Sequence, residues 1–121
     1  MNSAKTAATV EKIAQSAAQQ LLTAQARLTD AFAAGEIVSA GTMENLIEAQ
    51  AAAHLTAQLQ KRWNGHGMRA IGDWLEDAAE RLIEMNTGGY TSAVQNSMEL
   101  AERKAMQAAY KALIRCREDR A

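Results

Sequence analysis

Apolar side chains recur along this chain at spacings of three and four residues, the pitch of helices that bury one face. From about Thr6 to Ala34, Val10, Ala14, Ala17, Leu21, Ala24, Leu28 and Ala31 make one heptad stripe, widened by Ile13 and Phe32. Lys12, Gln15, Gln19, Thr23, Arg27 and Asp30 take the opposite side, and Leu22 is the one large apolar residue off the stripe. A helix patterned this way is stable only when something covers its apolar face.

The next periodic stretch runs from Thr42, the expected N-cap with Glu44 in the first turn, to about Trp63. Met43, Leu46 and Ile47 define one face, and Leu55, Leu59 and Trp63 a second, so the pattern predicts a central helix buried on two sides. The third stretch, Met68 to Met85, is cleaner. Met68, Ile71, Trp74, Leu75, Ala78, Ala79 and Leu82 face inward, and Asp73, Glu76, Asp77, Glu80 and Glu84 form an acidic stripe facing out. The fourth opens at Ser92, with Gln95 at capping-box spacing, and continues to about Arg117. Val94, Met98, Ala101, Ala105, Ala108, Ala112 and Cys116 form its expected core seam. Met106, Tyr110, Leu113 and Ile114 form a second apolar patch on its other side.

Composition strengthens the helical reading. The chain has 27 alanines in 121 residues and no proline, so the best helix former is abundant and the strongest breaker is missing. Glycine then does the parsing, at Gly35 to Gly41, at Asn64-Gly65-His66-Gly67 and at Gly88-Gly89. Asn64-Gly65 is the expected source of the positive φ angles that end the second helix. Three breaks make four helices: an all-α antiparallel four-helix bundle with a long first helix, in one domain spanning 1–121. One end of the longer first helix is expected to project. That projection and the second face of the fourth helix are the expected places for self-association.

Charge excludes more than it identifies. Thirteen basic residues against 14 acidic give a formal charge of −1, without the basic excess that supplies non-specific affinity for nucleic acid. Only Lys104, Lys111 and Arg115, in one arc of the fourth helix, offer adjacent phosphates a contact, so nucleic acid is the secondary expectation. Cys116 is the single cysteine and has no partner for an intrachain disulfide. The first residues lack a signal peptide's apolar run, and no window reads as a membrane span, so a cytoplasmic chain is expected.

Catalytic chemistry finds little to work with. Neither His54 nor His66 has a glutamate three residues before it, so the Glu-x-x-His pair of bundle metal sites is missing. His54 reads as a half-buried, hydrogen-bonded side chain, and Cys116 as a small hydrophobe on a core position. The acidic stripe lies on one helical face and cannot wrap a calcium ion. No glycine pair follows a strand or carries the Lys-Ser/Thr of a phosphate loop. The expectation is therefore no catalytic residues, no metal, no cofactor and no enzyme. It is a self-associating interaction module that docks on a protein partner as adaptor, chaperone or inhibitor, including the short regulators that phages and mobile elements encode. Met106, Tyr110, Leu113 and Ile114 are its expected contact patch, and the acidic stripe and basic arc are its charged docking faces.

Overall fold

The computed structural model describes residues 3–87 and 93–118, with side chains for 3–84 and 98–116. Four helices account for nearly all of these residues: α1 (Ser3–Ala33), α2 (Ala40–His66), α3 (Met68–Thr87) and α4 (Ala93–Glu118). No strand occurs among them. The helices have 31, 27, 20 and 26 residues, so α1 is about 46 Å long and α3 about 30 Å at 1.5 Å per residue.

The breaks follow backbone chemistry. α1 ends in a Schellman turn: the Glu36 amide donates to the Ala31 carbonyl at 2.9 Å, the Gly35 amide donates to Phe32 at 3.1 Å, and Gly35 takes φ +68°. α2 starts three residues earlier than its sequence suggests. Ser39, in an extended conformation, caps it by accepting the Thr42 amide at 3.1 Å, so Thr42 sits in the first turn and is not the cap. α2 also runs through Asn64 and Gly65, which stay helical. The chain breaks at Gly67 alone (φ +60°), whose amide donates to the Trp63 carbonyl at 2.7 Å. The proposed Ser92 cap of α4 lies outside the described residues.

α2 packs on all three other helices. α1 and α3 sit across the diagonal, each against α2 and α4, and α2 and α4 also touch. Of the two apolar faces expected on α2, only the second reaches the core, through Leu55, Leu59 and Trp63; Met43 of the first is 41% exposed. Eight buried residues form the core: Val10, Leu59, Ile71, Trp74, Leu75, Ala78, Ala109 and Leu113. They come from the early part of α1, the late part of α2, the early and middle part of α3 and the late part of α4. The core is therefore concentrated at the end where α2 turns into α3.

α4 buries parts of both its apolar sides, Ala101 and Cys116 from the expected seam and Leu113 from the other. Ala101, Ala109, Leu113 and Cys116 are buried, whereas Ala108 is exposed and Met98 is 58% exposed. Leu113 is fully buried, and Met106, Tyr110 and Ile114 pack against the core. Of the four residues expected as a contact patch, Leu113 is thus internal, and Met106, Tyr110 and Ile114 are half-buried beside it. Burying Leu113 removes more apolar surface from water than burying another alanine. The leucine side accordingly turns inward, and the alanine side is left along α1.

Candidate functional site

The alanine side of α4 does not close against α1. Between them runs a groove floored by α2, with an upper cavity of about 470 Å³ and a lower one of about 750 Å³. Gln20, Ala52 and Ala105 line both parts, which makes them one channel. Alanine side chains are too short to span the gap between the two helices. At the lower end Thr9 and Cys116 bridge it, their Oγ1 and Sγ atoms 3.1 Å apart. The walls carry Lys5, Lys12 and Arg27 from α1 with Lys104 and Arg115 from α4. Lys111, exposed and one turn before Arg115, continues the α4 row. Glu48 answers part of this charge, accepting from Lys104 Nζ at 2.8 Å.

The acidic stripe lies on the far flank. Asp73, Glu76, Asp77, Glu80 and Glu84 are all exposed on α3, across the bundle diagonal from α1. Asp77 pairs with Arg62 at 3.5 Å, and Glu84 with Arg81 at 3.4 Å. Arg81 also faces Glu102 of α4 at 3.5 Å. The Glu102 charge pushes the Arg81 guanidinium above its ordinary pKa. Burial pulls it back, and hydrogen bonds to Glu102 and Glu84 add to the rise. The group stays charged throughout any working pH range.

A third feature was not singled out in the sequence as a unit. Phe32, Ile37, Met43, Met98 and Leu100 are large apolar residues between 39% and 97% exposed. All lie where α1 stops and α2 and α4 begin, at the opposite end from the core. α3 turns back from the foot of α2 and is about 10 Å shorter than α2. Beside the apolar end, Trp74, Leu55, Ile47, Met98 and Met106 line an open apolar groove of about 730 Å³. Leu100 and Ile47 line a smaller hollow next to it, so Ile47 joins the two. Helical periodicity gave Phe32 an inward position. In the structure Phe32 is 66% exposed.

Chemistry-bearing residues remain scattered. His54 is exposed on the rim of the apolar groove, not half-buried, and His66 is exposed at the foot of α2. Cys116 is buried. Among the described residues no three His, Cys, Asp or Glu side chains gather as metal ligands. No described helix is long and apolar enough to cross a membrane. No protein-family model, curated protein or solved structure matches this chain.

Proposed function

We propose that the chain is a non-enzymatic protein-interaction module: a self-associating helical bundle that docks on a protein partner through its uncovered apolar end. The observation behind this reading is the concentration of Phe32, Ile37, Met43, Met98 and Leu100 at the end opposite the core. Their exposed side-chain area is on the order of 600 Å², most of the roughly 800 Å² that each partner contributes to a stable interface. Large apolar side chains exposed together at one end of a bundle mark a contact site. Met98 and Met106 suit such a site, because unbranched thioethers adapt to the shape of what they meet. Docking here makes the module an adaptor, chaperone or inhibitor, depending on what it covers.

A nucleic-acid role has less support. Among the described residues no aromatic side chain lines the basic groove to stack on bases, and the acidic flank of α3 repels a nearby phosphate backbone. The test of the protein-docking reading is a photo-reactive side chain placed at Ile37 of the full chain in its source cell. One discrete protein adduct is expected. Excess purified wild-type chain should suppress it, and a Phe32→Glu, Ile37→Glu chain should not. Diffuse adducts, or equal competition by both chains, would overturn the reading.

A further inference from the structure

The two charged faces of this molecule match each other in length and pitch. On α3, Asp73, Asp77, Glu80 and Glu84 occupy positions i, i+4, i+7 and i+11. On α4, Lys104, Ala108, Lys111 and Arg115 occupy the same four positions, with alanine at one of them. Each row is straight on its helix and spans about 16 Å. The acidic row lies outward on α3, and the basic row borders the α1–α4 groove, with Lys5 and Lys12 on the facing wall. α3 and α4 pack against each other, but the acidic row faces outward on α3 while the basic row borders the α1 side of α4. Within the chain Asp77, Glu84 and Lys104 pair with Arg62, Arg81 and Glu48, not with the opposite row.

We infer that a second copy of this chain docks head-to-tail, the acidic outer face of its α3 lying along the basic wall of the α1–α4 groove. The inference specifies the self-association in the reading above and rests on it, but not on the apolar end. Among the described residues, no ion pair engages Asp73, Glu80, Lys111 or Arg115, so these charges are available to a neighbour. The small side chains of Ala105, Ala108 and Ala112 let an approaching helix come close to the wall. Exposed ion pairs are individually weak, so the contact is weak and depends on several pairs acting in register. In such a pair one copy still presents its acidic face and the other its groove, so the contact repeats and mass climbs with concentration.

The experiment is sedimentation velocity on the full chain, with the salt raised from about 0.1 M to about 1 M, which shortens the screening length from ~10 to ~3 Å. The wild-type chain is expected to sediment as a larger species at low salt than at high salt. Two charge-reversed chains are compared, one with Asp73→Lys and Glu80→Lys, the other with Lys111→Glu and Arg115→Glu. Circular dichroism checks that both remain helical. Each alone should lose the salt-dependent increment, and an equimolar mixture should regain it, because the reversed faces again attract. Equal wild-type mass at both salts overturns the inference, whatever the variants do. A mixture that regains nothing also overturns it. A duplex retarded by the wild-type chain but not by the Lys111→Glu, Arg115→Glu chain, with no salt-dependent mass, assigns the basic wall to nucleic acid instead. The Ile37 cross-link involves none of these residues, so failure here leaves it standing.

Discussion

Thr9 Oγ1 and Cys116 Sγ lie 3.1 Å apart, tying the second turn of α1 to the end of α4 across 107 residues of sequence. The same hydroxyl donates to the Lys5 carbonyl at 2.9 Å, so Thr9 is held on its own helix and presents a fixed partner to the thiol. Cys116 is 3% exposed. A thiol reagent reaches a buried cysteine only after local opening. Native protein should therefore label with an aromatic disulfide reagent at least tenfold more slowly than the same chain in denaturant. Stoichiometric labelling within mixing time under native conditions would show this corner of the bundle to be open.

Leu113 separates a core role from a contact role. Leu113→Ala removes a fully buried side chain from the cluster that includes Ile71 and Trp74. It should cost about 2–5 kcal/mol by lost transfer energy and residual cavity. Met98→Ala, on a side chain 58% exposed, should stay within about 0.5 kcal/mol. Urea midpoints of the two variants check the contrast. Leu113→Asp should unfold the chain outright, since a carboxylate at that site has no described cation beside it. Similar midpoints for the two alanine variants would place Leu113 at the surface.

The four helices and the inward face of α3 were legible because each rests on local periodicity, and Ile71, Trp74, Leu75 and Ala78 are buried where the spacing puts them. α4 was ambiguous because both its sides step by three and four. Which one turns inward depends on the area that Leu113 buries against helices distant in sequence. Ser39 was overlooked as a cap because Thr42, followed by Glu44, offered a competing start. Gly41 does not interrupt the first turn, because the Thr42 amide still reaches the Ser39 hydroxyl. The apolar end was legible only in outline: the length of the first helix against the third predicts a projecting end for self-association, but not that Phe32, Ile37, Met43, Met98 and Leu100 are the residues exposed there.

Lys104 and Glu48 form the shortest ion pair described, at 2.8 Å, but both side chains are about half exposed. Water screens such a pair, and holding two long side chains together costs rotamer freedom. A double-mutant cycle with Lys104→Ala and Glu48→Ala should return a coupling of about 0–1 kcal/mol at low salt, falling toward zero near 1 M. A coupling above about 2 kcal/mol would require a dry pair, in conflict with the open cavities on either side.

Gly67 and Gly72 provide a test in which only backbone conformation differs. Neither has any atom within 4 Å of where a Cβ would sit, so alanine meets open space at both positions. Gly67 holds φ +60° and ψ −137°, a region that L residues avoid, and it alone separates α2 from α3. Alanine there must accept strain or shift the break, at a cost on the order of 1–3 kcal/mol. Gly72 is helical and exposed inside α3, where alanine fits without strain and loses less entropy on folding. Gly72→Ala should therefore stabilise the chain by about 0.5–1 kcal/mol while Gly67→Ala destabilises it. Thermal melts followed by circular dichroism read both signs. If both substitutions stabilise, α2 and α3 form one continuous helix. α3 would then not fold back beside α2, and both the core and the uncovered apolar end would need a different arrangement.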